Sequence, residues 1–332
     1  MKQETNKNSD IKNNDINNTY NTNDININNR PDNRIRFGTI LVCMAGICWG
    51  IIGLFTRRLS TYGLNSVQIT MIRNLFSSIE MFIIIVFLGV KKLKFYIKDI
   101  WIFIGTGIIS IALFNICYFK TLELTTMNIA SILLYTAPVM VMVMSVVFFK
   151  EKITKAKILS LFLAFTGCIF TTGLIGSVIS GSSSVITMAG IITGVLSGFF
   201  YALYSIFAKV ALKKYDVFTV TFYTFFFAAV SLFFVVKPVE TYKLVIGDIN
   251  IVLTALLLAT ISTVTPFICY TLGLKYLEPG HASVMAFIEP MVATLCGIFI
   301  YKESFTIENI FGIIFIFISI VLLNIKPRSL KN

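Results

Sequence analysis

The stretch ASILLYTAP at residues 130–138 recurs as ASVMAFIEP at residues 282–290, 152 positions further along the chain. Each copy is followed by a Lys-Glu pair, at 150–151 and at 302–303. The same offset pairs Gly38 with Gly190, Gly46 with Gly198, Phe55 with Phe207, Cys117 and Tyr118 with Cys269 and Tyr270, Leu122 with Leu274, and Thr154 with Thr306. The sequence therefore consists of two copies of one unit, a plan typical of secondary transporters.

Composition places both copies in a membrane. The 332 residues are 56% hydrophobic, with a mean hydropathy of +0.84. Apolar runs recur that are long enough to cross a hydrocarbon core of about 30 Å, and only helices satisfy their own backbone groups in lipid. The predicted helices cover residues 37–56, 67–88, 100–119, 128–149, 157–176, 185–208, 217–236, 250–271, 281–301 and 307–325. The predicted fold class is an all-α integral membrane protein with ten transmembrane helices.

The lysines and arginines that give the net charge of +12 lie unevenly in the predicted loops, which alternate between the two sides of the membrane. One side receives twelve of them: Lys91, Lys92, Lys94, Lys98, Lys150, Lys152, Lys155, Lys157, Lys209, Lys213, Lys214 and Lys275. The other side receives six: Arg57, Arg58, Lys120, Lys237, Lys243 and Lys302. Positive charge collects on the cytoplasmic side, so we predict a multi-pass protein of the cytoplasmic membrane with both termini inside. This placement argues against nucleic acid as a partner.

The repeat also predicts the domain organisation. Because each unit has five helices, an odd number, the second unit enters the membrane with inverted orientation. The predicted repeats are residues 37–176 and 185–326. Residues 1–36 hold twelve asparagines and no apolar segment, so we predict a disordered cytoplasmic tail. Residues 327–332 form a short cytoplasmic C-terminal tail.

The sequence offers no motif for catalysis or cofactor binding. It contains one histidine, His281, no His, Cys and carboxylate spacing suited to a metal, and no phosphate-binding Gly-rich loop. We therefore predict a protein that is not an enzyme and holds neither cofactor nor metal. The predicted partners are a small-molecule substrate, the lipid bilayer and protons as coupling ions.

Charged residues at membrane depth are costly and indicate function or structural pairing. Arg73, Ser77 and Glu80 share one face of the second helix. They suggest an anion-binding or coupling site, or alternatively an interhelical salt bridge or an arginine that reaches the interface. Glu289 precedes Pro290 in the ninth helix. It is a candidate for proton coupling, with a structural carboxylate at a helix kink as the alternative.

Other polar and aromatic residues are candidates for a substrate cavity. In the eighth helix, Thr263 lies near Pro266, so its hydroxyl serves either a kinked backbone or a cavity wall. The remaining candidates are Asn115 and Tyr118 in the third helix, and the aromatic residues Trp49, Tyr201, Tyr204 and Tyr270. Aromatic residues in membrane proteins also serve in packing and at the interface.

Three prolines are candidate hinges, because a missing backbone hydrogen bond softens a helix. Pro138 and Pro290 occupy equivalent positions in the two repeats, and Pro266 lies in the eighth helix. Two soft points at symmetric positions suit a rocking motion, although proline kinks also occur in rigid helices.

The Ala-Ser, Pro and Glu pattern of the two copies resembles the EamA repeat of the drug/metabolite transporter superfamily. Trp49-Gly50, Arg73 and Glu289-Pro290 are also similar to that family, over residues 37–326. The resemblance implies an inverted-repeat carrier with a central cavity between the halves, often an exporter of amino acids or other small metabolites. The second half has Tyr201 and Phe225 at the positions of Trp49 and Arg73, so these residues do not form symmetric pairs.

The sequence thus predicts a secondary active transporter that exports a small metabolite or amino acid across the cytoplasmic membrane by alternating access. The alternative is a membrane receptor or scaffold that uses a carrier fold without transport.

Overall fold

The computed structural model describes residues 31–174, 176, 187–235 and 238–325. Most of the predicted N-terminal tail and the whole of residues 327–332 lie outside these ranges. The first helix begins at Pro31, earlier than the boundary predicted at residue 37.

The described residues form ten helical segments, which we number α1 to α10. Five of them, α1, α3, α4, α8 and α9, consist of consecutive pieces. The bounds are α1 Pro31–Gly50 continued by Ile52–Thr61, α2 Ser66–Leu88, α3 Ile97–Leu124, α4 Met127–Phe149, α5 Lys155–Thr171, α6 Met188–Ala211, α7 Val217–Phe233, α8 Ile249–Tyr276, α9 Pro279–Tyr301 and α10 Ile307–Asn324. A shorter helix, Pro238–Gly247, connects α7 with α8.

Eight of these helices are long and apolar enough to cross a membrane. They are all except α5 and α7, which have 17 residues each. α7 is a shorter apolar helix. The described part of the chain contains no strand, so the all-helical class is confirmed, and the count of ten spanning helices stays a prediction.

Helix packing repeats between the two halves. α1 packs on α8 and α9, while α6, five helices later, packs on α3 and α4. α2 packs on α7, α5 on α10 and α4 on α9. Exchanging each helix with its counterpart in the other half leaves these pairings unchanged. The two halves therefore interlock around an approximate twofold relation.

Glycines on α1 and α6 permit close approaches between the halves. A Cβ atom on Gly46 would lie 2.1 Å from Ile288, and one on Gly198 would lie 2.8 Å from Thr136. A Cβ atom on Gly38 would lie 3.0 Å from Leu277, and one on Gly190 would lie 2.4 Å from Thr125. The contacted residues, Ile288 with Thr136 and Leu277 with Thr125, are themselves 152 positions apart. The sequence repeat is thus also a repeat of contacts.

The Lys-Glu pairs form matching helix junctions. Lys150 and Lys302 end α4 and α9 in the left-handed conformation, with φ of 56° and 59°. Thr154 and Thr306 then cap α5 and α10 by accepting a backbone hydrogen bond from the residue three positions later. A threonine oxygen at this position satisfies a free amide of the first helical turn.

Contacts between connections divide the bundle into two ends. At the first end, which we call the lysine-rich end, the contacts are Lys92–Asp216, Lys214–Asp99 and Lys157–Glu278. At the second, which we call the Arg57 end, they are Arg57–Glu303, Gln68–Thr241 and Gly176–Glu308. The lysine-rich end collects the connections that the charge count placed together.

Four helices depart from regular α-geometry at related positions. α4 is interrupted between Leu134 and Ala137, and α9 between Met285 and Ile288. Pro138 and Pro290 follow these interruptions. π-helical turns lie at Gly105–Ala112 in α3 and at Thr260–Val264 in α8, where Pro266 follows. Such interruptions often occur at functional sites.

The contact between α5 and α10 gives a stability prediction. A Cβ atom on Gly312 would lie 2.8 Å from the carbonyl oxygen of Gly167. We expect Gly312→Ala to force the helices apart and to lower the free energy of unfolding by about 1–3 kcal/mol, measured by thermal denaturation in detergent. Gly247→Ala, where nothing lies within 4 Å of the new carbon, is the control. Equal stability of the two variants would contradict this packing.

Candidate substrate cavity

A cavity of about 610 Å³ lies between the halves and opens at the Arg57 end. Its deep wall includes Trp49, Tyr135 and Glu289, and its mouth includes the exposed residues Ser60 and Tyr301. α1, α2, α3, α4 and α9 supply the lining. Its volume lies in the range of small-molecule sites.

Beneath it lies a second pocket of about 30 Å³, with room for about one water molecule. Trp49, Leu134, Tyr135 and Glu289 line both spaces. The small pocket is closed by aromatic residues that are almost fully buried: Tyr204, Tyr270, Phe267 and Phe287. The cavity is therefore open at one end only.

Two hydrogen bonds join α6 to α8 below the cavity. The hydroxyls of Tyr204 and Thr271 lie 2.7 Å apart, and those of Ser205 and Tyr270 lie 2.8 Å apart. The ring of Trp49 packs on Tyr270, with centroids separated by 5.3 Å. These contacts seal the path toward the lysine-rich end.

No such hydrogen bonds join the counterparts of these four residues in the described part of the chain. Ile52, Gly53, Tyr118 and Phe119 occupy the same positions in the first half. All four line the open cavity. Equivalent parts of the two halves thus adopt a closed arrangement on one side and an open arrangement on the other.

Arg73 lines the cavity from α2 beside Phe114, Asn115 and Tyr118. It forms no ion pair within the described part of the chain, and its Nε is buried with no hydrogen-bond partner there. The interhelical salt bridge that the sequence allowed is thus not seen at Arg73. A buried guanidinium nitrogen without a partner is costly, so the half-buried guanidinium of Arg73 is available to an anionic group that enters the cavity.

Glu289 lies on the opposite wall, in the first turn after the interruption of α9. Among the described residues, its carboxylate has no ion pair and no hydrogen bond. Tyr118 and Tyr135 line the large cavity with Glu289, and Tyr201 lines the small pocket with it. One wall thus carries an unpaired cation and the other an unpaired carboxylate, with aromatic rings between them.

The remaining candidates from the sequence fall into two groups. Asn115 and Tyr118 line the large cavity, while Tyr201, Tyr204, Tyr270 and Pro138 line the small pocket. Asn115 also donates a hydrogen bond of 2.7 Å to the carbonyl of Ile111, which lies in the π-helical part of α3.

Five candidates line neither space. Ser77 is fully buried and its hydroxyl has no partner among the described residues. Glu80 accepts a 2.8 Å hydrogen bond from Thr260 on α8, which is an interhelical contact but not the salt bridge that the sequence allowed. Thr263 donates to the carbonyl of Leu258 across the π-helical turn and so serves the kinked backbone. Pro266 and Pro290 are buried beside the interruptions of α8 and α9.

Several residues of the site were not selected from the sequence. Tyr135 lies at the interruption of α4, and its nearness to Pro138 was the available signal. Ser205 and Thr271 look like ordinary small helix residues, so no sequence signal identified them. The pairing of Arg57 with Glu303, 2.8 Å apart, was signalled only by the repeated Lys-Glu motif.

At the lysine-rich end, Glu151 contacts the second half. Its Oε2 would lie 3.1 Å from a Cβ atom on Gly280. Burial, and then the neighbouring carboxylate of Glu278, raise the pKa of Glu151.

Comparison with known proteins decides the family. The chain matches the EamA-like transporter family over residues 36–173 and again over residues 188–325. It belongs to that family. The protein is therefore a membrane transporter built from two EamA repeats.

Relatives with known sequences carry transporter names. An "Uncharacterized transporter" of Archaeoglobus fulgidus is 28% identical over 282 residues, which cover 84% of this chain and 93% of the relative. The "Uncharacterized inner membrane transporter YicL" of Salmonella typhimurium is 24% identical, covering 88% of this chain and 97% of the relative. Such names are consistent with a protein that is not an enzyme.

A solved crystal structure shares the fold. It superposes with a TM-score of 0.70 at 14% identity, covering 86% of this chain and 95% of the other. At that identity the likeness concerns the fold alone.

Arg73 gives a prediction about recognition. We expect Arg73→Gln to weaken binding of carboxylate- or phosphate-bearing solutes by about ten- to a hundredfold, because a hydrogen bond to a charged group is lost. Binding of neutral solutes should change little. Thermal stabilisation by a panel of charged and neutral solutes measures both.

The matched control is Arg58→Gln. Arg58 is exposed, bonds to the hydroxyl of Tyr62 and does not line the cavity. If Arg73→Gln loses neutral and anionic solutes alike, or behaves like Arg58→Gln, Arg73 does not recognise an anion.

Proposed function

We propose that this EamA-family protein is a secondary active transporter that moves a small metabolite or amino acid across the cytoplasmic membrane by alternating access. The observation that carries the proposal is the cavity itself. The cavity is open at one end. At the other end it is closed by the hydrogen bonds between α6 and α8, and the equivalent residues of the first half line the open side. Its opposite walls carry the unpaired charges of Arg73 and Glu289.

In this proposal all ten helices span the membrane and the second repeat is inverted. The two Lys-Glu junctions support inversion, because Glu151 lies at the lysine-rich end near Lys157, while Glu303 lies at the other end with Arg57. With the lysine-rich end in the cytoplasm, the present structure is outward-open.

The opposite state follows from the approximate twofold relation. The contacts of Tyr204 with Thr271 and of Ser205 with Tyr270 would separate, and Ile52, Gly53, Tyr118 and Phe119 would close together. The interruptions beside Pro138 and Pro290 provide flexible points at equivalent positions, which suits a rocking movement. Rocking would expose the site between Arg73 and Glu289 to each side in turn.

The two charges define the solute in this proposal. The guanidinium of Arg73 would bind a carboxylate or another anionic group, with Asn115 and Tyr118 beside it. The carboxylate of Glu289 would receive either a proton or the cationic group of a zwitterionic solute. The direction of transport is proposed to be export, on the resemblance to EamA exporters.

The test is flux into proteoliposomes of a pooled mixture of amino acids and metabolites, with and without an imposed pH gradient. We expect gradient-dependent movement of one solute class. We expect Glu289→Gln to abolish that dependence while leaving the protein folded, because an amide cannot carry a proton.

Glu123→Gln is the control for this substitution, because Glu123 forms an exposed pair with Lys120 within α3. Driven flux that is unchanged in Glu289→Gln would remove Glu289 from coupling. Gradient-independent flux in the unsubstituted protein would instead indicate a facilitator.

A further inference from the structure

The lysine-rich end holds a charge cluster that joins the two halves. Lys157, at the start of α5, forms an ion pair with Glu278, which precedes α9. Its Nζ also lies 3.8 Å from Glu151 and donates to the carbonyl of Lys152. The side chains of Lys157 and Glu151 are only 10% and 6% exposed, whereas that of Glu278 is 54% exposed. Within the second half, Lys209 on α6 donates to the carbonyls of Leu274 and Leu277.

The Arg57 end cannot form the same cluster. The counterparts of Lys157 and Glu278 are Asn309 and Thr126. Both are neutral, and both are engaged at helix starts, where Asn309 bonds to Thr306 and Thr126 caps α4. The pair that remains is Arg57 with Glu303, whose side chains are 48% and 51% exposed.

This difference in burial gives the two ends unequal strength. An exposed ion pair contributes little, because water and salt screen it. Separating the halves would take Glu278 away from Lys157 and leave it only Glu151, a residue of its own half at 3.8 Å. A buried lysine that loses a carboxylate partner is left poorly compensated. Separating the halves at the lysine-rich end therefore costs more than separating them at the Arg57 end.

We propose that Lys157, held between Glu278 and Glu151, is a lock that keeps the lysine-rich end closed and makes the outward-open form the resting state of this transporter. The proposal rests on the proposed alternating-access function. It assigns Lys157 and Glu278 as positioning residues that set the balance between the two states without contact with the solute.

The chain contains a natural reporter of the open cavity. Cys296 lines the cavity near its mouth, and its counterpart on the other side is Met144. The first reporter protein keeps Cys296 as its only cysteine, with the other five replaced by alanine. The second reporter protein has all six native cysteines replaced by alanine and carries Met144→Cys. A membrane-impermeant maleimide is applied to Cys296 in right-side-out vesicles and to Met144→Cys in inside-out vesicles, and labelling rates are measured.

The main variant is Lys157→Asn, which places at this end the residue type found at position 309. We expect labelling of Met144→Cys to rise by about fivefold, the change in a two-state ratio for a modest loss of stabilisation, and labelling of Cys296 to fall. Glu278→Gln is the second variant, with the same direction expected, and provides the test if Lys157→Asn fails to fold. Glu123→Gln should leave both rates unchanged.

Unchanged rates in Lys157→Asn and Glu278→Gln, or faster labelling of Cys296, would overturn the lock. Pooled-solute flux of the same proteins separates this result from the transport proposal. Solute flux with no shift in labelling rejects the lock alone. A shift in labelling without any flux supports the lock and rejects transport of the solutes tested.

Discussion

Close backbone contact between the first helix of one half and the third and fourth helices of the other is the constraint on which the rest of this structure depends. A Cβ atom on Gly50 would lie 2.8 Å from the carbonyl of Glu289, so α1 and α9 meet where no side chain intervenes. Trp49 and Glu289 are thereby held together at the base of the cavity. Because small residues permit such packing in lipid, the position of the site follows from the position of the glycines.

The two halves share backbone contacts but differ in their side-chain contacts. Backbone contacts at Gly46 and Gly198 are made in both halves, whereas the side-chain contacts of Tyr204 and Tyr270 are made in the second half only. α1 is interrupted at Ile51, but α6 continues through the equivalent position. Shared backbone contacts preserve the fold, and unequal side-chain contacts select which end is open.

The sequence predicted the helices and the repeat for physical reasons that can be named, and five of its candidates line the large cavity: Trp49, Arg73, Asn115, Tyr118 and Glu289. Apolar length predicts membrane helices, and the offset between Gly46 and Gly198 predicts equivalent packing. Charged residues within the predicted membrane helices were selected as candidates. Arg73 and Glu289 line the cavity, whereas Glu80 does not. Periodicity assigns a residue to a helix face without saying which neighbour covers that face. For the same reason the hydroxyl contacts of Ser205 and Thr271 were not foreseen.

The most direct test of the exchange between two states is cross-linking across the open side of the cavity. Two double-cysteine variants of a cysteine-free protein are treated with one short bifunctional thiol reagent. The first carries Ser205→Cys and Tyr270→Cys, at positions that are in contact in this structure, and should cross-link readily. The second carries Gly53→Cys and Tyr118→Cys; we predict that it also cross-links, in the fraction of molecules that reach the opposite state, and that solute flux then stops. If Gly53→Cys and Tyr118→Cys never cross-link in protein that transports solute, alternating access by exchange of the two halves is wrong.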